Sequence, residues 1–197
     1  MIKRQSATLA SALARGFPIV AFVGPRQSGK TTLARALFGD RAYVSLEDPE
    51  EREYALHDPR GFLARFPEGA VIDEAQRCPA LFSYLQGLVD ARGRMGDFIL
   101  TGSQQFGLRS GISQSLAGRV GLVQLLPFSL TELKEAGKLP ESLDGALCQG
   151  GYPPLFDREI PPPLWFPNYV ATYVERDVRQ LLAVGDLDLF QRLVKLC

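Results

Sequence analysis

The chain has 197 residues, room for one full domain and part of a second. Lys plus Arg and Asp plus Glu number 22 each, and 46% of residues are hydrophobic. A packed core is therefore expected, and the global charge points to no nucleic acid, although a local basic face is compatible with a balanced sum. Cys78, Cys148 and Cys197 are far apart and show no C-x-x-C spacing, so neither a zinc site nor a disulfide framework is indicated. The single histidine, His57, has no metal-ligand partner nearby in sequence and reads as a surface residue. After Met1–Ser6 the apolar stretch is short and broken by Ser11 and Arg15, which is unlike a signal peptide. No window offers about eighteen unbroken apolar residues, so no membrane helix and a cytoplasmic location are expected.

Ser6 to Arg15 reads as a helix. Ile19-Val20-Ala21-Phe22-Val23 is a continuous apolar run, the pattern of a strand buried on both faces. Then comes Gly24-Pro25-Arg26-Gln27-Ser28-Gly29-Lys30-Thr31, which matches G-x-x-x-x-G-K-[ST] at every fixed position. In that pattern the glycines let successive N–H groups face phosphate oxygens. The lysine reaches the β- and γ-phosphates, and the hydroxyl ligates Mg²⁺. Thr32 to Phe38 carries apolar residues at helical spacing, and Gly39 follows as a stop. Strand, loop and helix are in the order the motif requires, with the helix N-terminus facing the anion.

Ala42–Leu46 is the second strand, and a helix begins near Pro49 with Glu50 and Glu51 suiting its dipole. Asp58–Gly61 reads as a turn before a short helix through Phe62 and Leu63. Gly69–Glu74 is the third strand, Leu81–Ala91 an amphipathic helix, Phe98–Thr101 the fourth strand and Val120–Leu125 the fifth. Strands alternating with helices predict a parallel sheet wrapped by helices. The texture changes after about Gly137, where Gly150–Pro154 and Pro161–Pro163 punctuate the chain. A helix with Tyr169, Tyr173, Val174, Val178, Leu181 and Leu182 on one face follows. A last helix runs from about Leu187 to Leu196, and its abrupt stop reads as the N-terminal part of a longer chain.

Four groups of residues carry chemistry. An apolar strand ending in Asp73-Glu74, some forty residues after the loop, fits a Walker B site. Asp73 would hold Mg²⁺ with Thr31, and Glu74 would orient the attacking water. Thr101 and Ser103 flank Gly102 after the fourth strand, and either could contact the water or the γ-phosphate. Arg119, just before the fifth strand, offers a permanently charged guanidinium that could act in the same site or in a neighbouring subunit. Arg26, inside the loop, could contact phosphate or a partner.

Beyond the loop, Ile72–Pro79, Leu100–Ser103, Ser115–Arg119 and Leu126–Leu133 occur in order, followed by Gly-Gly-Tyr-Pro (150–153) and Tyr-Val-Glu-Arg-Asp-Val (173–178). In this the chain resembles the prokaryotic AAA-type (AAA+) ATPases that carry a C-terminal domain of unknown function, over nearly its whole length. The resemblance implies a three-layer α/β/α P-loop NTPase with a five-stranded parallel sheet in the order 5-1-4-3-2, followed by a helical segment. It implies an ATP-binding domain over residues 1–137, with a lid or the start of the C-terminal domain over 138–197. ATP would be held by Gly24, Pro25, Arg26, Gln27, Ser28, Gly29, Lys30, Thr31 and Thr32, and Mg²⁺ by Thr31 and Asp73. Lys30, Glu74, Ser103 and Arg119 are the candidate catalytic residues.

The function expected is Mg-ATP hydrolysis coupled to movement of the attached domain. An ATP-dependent switch or binding module with little turnover is the alternative, although Glu74 favours turnover. A P-loop kinase would need an Arg-rich lid that is not evident, and GTP is disfavoured because no Asn-Lys-x-Asp string occurs. Homo-oligomerisation, and a protein partner or DNA reached through a C-terminal extension, stay open as partnerships. Within the chain no helix-turn-helix, zinc finger or basic stripe stands out.

Overall fold

The backbone of β1 (Ile19–Gly24) is buried along all six residues. Its side chains divide by parity between two cores, as the period of two in a strand requires. Ile19, Ala21 and Val23 face one core, and Val20 and Phe22 the other. The computed structural model describes residues 2–103 and 115–173.

The remaining strands are β2 (Ala42–Ser45), β3 (Ala70–Asp73), β4 (Phe98–Ser103) and β5 (Val120–Gln124). They form one sheet in the order β2-β3-β4-β1-β5, with every pairing parallel. This is the order that the family resemblance implies. On one face, α1 (Ser6–Gly16) and α2 (Lys30–Leu37) contribute Ala10, Leu33 and Ala34 to a core with Val20, Phe22, Val71, Ile99 and Val123. On the other, α3 (Pro49–His57), α4 (Pro59–Ala64) and α5 (Leu81–Arg92) bring Ala55, Phe62, Leu81, Phe82 and Leu85 against Ile19, Ile72, Phe98 and Leu100. Burial on both faces is why β1, β3 and the start of β4 read as unbroken apolar runs, whereas the edge strands β2 and β5 are partly exposed.

Local rules account for the element ends. Asp48 caps α3 through the N–H of Glu50, with Pro49 in the first turn. The expected turn at Asp58–Gly61 is instead the start of α4. Asp58 accepts from the Gly61 N–H at 2.8 Å and Pro59 takes the first helical position, so the same residues that suggest a turn nucleate a helix. The Asp-Glu strand end is also one residue shorter, because Glu74 turns into the left-handed region at φ 54°.

A sixth helix, α6 (Leu130–Glu135), is absent from the periodicity-based reading. Its signature is a capping box. Ser129 Oγ accepts from the Glu132 N–H at 3.1 Å, and Glu132 accepts from the Ser129 N–H at 2.9 Å. Glu132 is buried because it also meets Arg4, whose guanidinium stands 3.5 Å away and 4.7 Å from the centre of the Phe128 ring. Arg4 also donates to the Leu126 carbonyl. Burial lowers the Arg4 pKa and the Glu132 charge opposes that shift. The N-terminal segment is thereby bound to the segment that leaves β5.

The chain packs as two units. The first runs to Leu139 and includes Gly151–Pro153; the second takes 140–150 and the chain from Pro154 onward. In the second unit, α7 (Leu143–Gln149) is capped by Ser142, and α9 (Pro162–Tyr173) carries Pro167 inside it. Trp165 stacks on Tyr169 there, with ring centres 4.6 Å apart. The short helix α8 (Pro153–Asp157) begins on the last residue of the Gly151–Pro153 segment. The apolar face expected from Val174 to Leu182, the string 174–178 and the helix from Leu187 to Leu196 lie outside the described residues.

Candidate nucleotide site

Because every strand is parallel, the carboxyl ends of β1, β3 and β4 open on the same edge of the sheet, where ligands of open α/β folds bind. The loop 24–31 leaves β1 there, Asp73 ends β3 and Ser103 ends β4. Register sets Ser103 directly beside Gly24. The two loop glycines are needed for different reasons. A Cβ at Gly24 would collide with the Leu125 carbonyl oxygen, whereas Gly29 is left-handed at φ 91° as it opens α2. Gln27 is also left-handed, at φ 59°, a strained position for a residue with a Cβ.

Lys30 opens α2 and is buried. Its Nζ donates to the carbonyls of Pro25 at 2.7 Å and Gly24 at 3.1 Å. Burial lowers the ammonium's pKa; Glu74 and Asp73 oppose this shift, and Arg26 adds to it. A cation held in this way by two carbonyls is poised for a stronger anionic partner. Ser28 Oγ is buried in the same loop with no hydrogen-bond partner among the described residues. An orphaned hydroxyl in the same loop as an ammonium with one N–H to spare suits a phosphate.

Asp73 is the hub of the second half of the site. Thr31 Oγ1 donates to its Oδ1 at 2.8 Å, Thr101 donates to the same oxygen, and the Tyr43 hydroxyl donates to Oδ2 at 3.0 Å. The Tyr43 pKa is raised by burial and by the Asp73 charge, and the Arg35 guanidinium lies 4.7 Å from its ring centre. A threonine hydroxyl on a carboxylate, one helical residue from the lysine, is a donor set that fits Mg²⁺, which needs only one or two protein ligands besides phosphate.

Glu74 lies one residue further on. Gln76, in the 3₁₀ turn Ala75–Arg77, folds back so that its Nε2 meets Glu74 Oε2 at 2.6 Å and Ser103 Oγ at 3.4 Å. The two polar candidates on β4 therefore have different partners. Thr101, fully buried, is taken up by Asp73, and Ser103 stands at the strand end with Gln76. Tyr43 and Gln76 join the site beyond the candidate residues that the sequence marks. No signal marked Tyr43, since only the β2–β3 register sets it near Asp73. Gln76 stood two residues from Glu74, yet only the 3₁₀ turn aims it back.

Arg119 is not brought to this edge. Its carbonyl accepts from the Ile19 N–H at 3.1 Å, at the amino end of β1, so it lies at the opposite end of the sheet from the loop. Its guanidinium grips Asp90 at 2.7 and 2.8 Å, lowering the carboxyl pKa and raising its own. A role within the chain's own site is thereby corrected: the parallel pairing of β5 with β1 fixes the residue before β5 at the wrong edge.

A family model described as an AAA domain matches residues 16–134, more than half of the chain. The chain belongs to the AAA domain family. A second model, a domain of unknown function (DUF8612), matches residues 140–197. The chain is 37% identical over 187 residues to the uncharacterized proteins Rv2008c of Mycobacterium tuberculosis and Mb2031c of Mycobacterium bovis. These matches cover 92% of this chain and 41% of each relative, so the chain spans under half of their length. Among solved structures it is similar to AMPPCP-bound DnaA from Aquifex aeolicus, with a TM-score of 0.53 and 17% identity over 91% of this chain and 67% of that one. It is also similar to the Walker-type ATPase PABY2304 of Pyrococcus abyssi, with a TM-score of 0.51 and 17% identity over 98% and 76%. At that identity the likeness concerns the fold, which is that of AAA-type P-loop NTPases. Among the described residues, no helix of this AAA protein is long and apolar enough to cross a membrane.

Proposed function

We propose that this is a cytoplasmic Mg-ATP-dependent ATPase whose turnover moves the domain that follows. The observation that carries the reading is the Thr31–Asp73 contact of 2.8 Å beside Glu74, at the sheet edge where the loop opens. Lys30 would exchange the carbonyls of Gly24 and Pro25 for phosphate oxygens, and the N–H groups from Arg26 to Thr32 would line the phosphates around the Pro25 turn. Thr31 and Asp73 would hold Mg²⁺, which when bound offsets phosphate charge. Glu74 would orient the water and accept its proton. Ser103 is the better γ-phosphate contact, because Thr101 already serves Asp73.

Purified protein should release phosphate from ATP only when Mg²⁺ is supplied, and EDTA should stop it. ATP binding with no release in either condition would replace the ATPase reading with the switch. One observation favours that second reading: the 2.6 Å bond from Gln76 holds the Glu74 carboxylate away from free rotation.

Arg119 belongs to the proposal only in trans, presented by one copy of the chain to the site of another. Arg119→Ala should then lower kcat by about tenfold or more while KM for ATP stays near wild type, since a trans arginine acts on transition-state charge. Equal rates in dilute and concentrated wild-type protein would remove the oligomer. DnaA is among the fold neighbours, and DNA or a protein partner would be engaged by the longer protein. Binding to duplex DNA that falls steeply with salt would support the DNA partnership.

A further inference from the structure

Asp73 is held by more than its place at the end of β3. An ionised carboxylate has about four acceptor positions. Among the described residues three hydroxyls use them, each from a different element. Thr31 of α2 and Thr101 of β4 donate to Oδ1, and Tyr43 of β2 donates to Oδ2 at 3.0 Å. Thr31 and Thr101 share one oxygen and leave the second unheld. Tyr43 alone fixes that second oxygen among the described residues. The acceptor position left over is also on Oδ2, the oxygen that Tyr43 aims.

The reach of Tyr43 follows from register. β2 pairs with β3 so that Tyr43 stands beside Val71 and Ser45 beside Asp73. Val71 and Asp73 share one face of the sheet, as residues two apart in a strand must, and Tyr43 faces the same way. The step from position 71 to 73 is about 6.6 Å, which a phenol can span and a short side chain cannot. Val71 packs in the core that α2 covers, and the Arg35 guanidinium of α2 lies 4.7 Å from the Tyr43 ring centre. The helix that carries Lys30 and Thr31 therefore also steadies the ring. Tyr43 is 40% exposed on the edge strand, so removing its hydroxyl opens no cavity in the core. A small cation that keeps several of its waters needs an acceptor held in a fixed direction.

We infer that Tyr43 is the positioning residue of the divalent-cation site: by holding Oδ2 it makes Asp73 a directed acceptor for Mg²⁺ or one of its waters. It acts through Asp73 alone, so it sets what the cation adds to nucleotide binding and leaves the phosphate loop itself unaffected. The inference rests on the Mg-nucleotide reading above, which gives Tyr43 no role.

Tyr43→Phe tests it, because the ring and its Arg35 contact stay while the hydroxyl goes. The affinity of the intact protein for AMPPCP is measured in EDTA and in excess Mg²⁺, and the ratio of the two is the gain due to the cation. The variant should bind AMPPCP in EDTA as wild type does. It should lose about tenfold of the gain, the low end of what loss of a partner to a metal ligand costs. Mn²⁺ bound in the presence of AMPPCP, followed by its EPR signal, should need about tenfold more cation for half-saturation in the variant. A gain equal to that of wild type would overturn this inference alone. So would equal losses in EDTA and in Mg²⁺, the pattern of a merely structural tyrosine. AMPPCP binding by wild type with no gain from Mg²⁺ would overturn the cation site and this inference while leaving the phosphate loop in place. No binding at all would overturn the nucleotide-site reading and this inference together.

Discussion

Glu74→Gln is expected to bind ATP with near wild-type affinity and to release phosphate about 10²–10³ times more slowly, the range for loss of a positioned general base. The geometry explains why binding should survive. Glu74 touches neither Lys30 nor Thr31; its carboxylate is held by Gln76 Nε2 at 2.6 Å, and a glutamine oxygen can accept the same bond. The φ of 54° at this position is a property of the backbone turn that both residues share. The melting temperature should therefore hold, and the loss should fall on kcat with KM little changed, which marks an interaction made in the transition state. Single-turnover phosphate release with a fluorescent ATP displacement assay separates the two quantities. Unchanged turnover would remove Glu74 from the chemistry.

Lys30→Met should have the opposite profile. Lys30 is a buried ammonium that donates to two loop carbonyls, and burial works against its charge. Methionine fills similar volume without that charge but leaves the Gly24 and Pro25 carbonyls short of a donor. These effects oppose each other, so the unliganded variant should stay within about 1 kcal/mol of wild type. The loss appears with ligand. Removing a hydrogen bond to a charged group costs about 1.5–3 kcal/mol, or roughly ten- to a hundredfold in ATP affinity. Wild type at a hundred times its Kd should gain about 2.7 kcal/mol of stability from ATP, and the variant far less. Thermal melts with and without Mg-ATP read both arms. A variant that melts early without nucleotide, and is rescued by it, would contradict the account.

Much of the fold was legible in the chain because burial on both faces erases alternation. Ile19–Val23, Val71–Ile72 and Phe98–Leu100 could be little else than inner strands. The loop was legible because each fixed position has a separate physical need, and α6 could have been found from Ser129 and Glu132 as a capping box. Asp58 and Pro59 show the limit of local signals, since the same two residues serve a turn and a helix start equally well. The strand order came from resemblance to a family; no spacing in the chain encodes it.

Residue types and their spacing alone determined the phosphate loop, the strand that feeds it and the carboxylate pair some forty residues later. Those are local facts, set by what a tight turn, a buried strand and a helix start each demand. The tertiary structure decided what depends on register between distant strands. Pairing of β3 with β4 turns Thr101 onto Asp73 and leaves Ser103 at the strand end. Pairing of β5 with β1 strands Arg119 at the far edge. The packing of Gly151–Pro153 into the first unit, where the Phe128 N–H donates to the Gly151 carbonyl, is likewise invisible in the chain. A hydrogen bond or a van der Waals contact acts over a few ångströms of space, and no residue's neighbours in sequence state which strand will lie beside it.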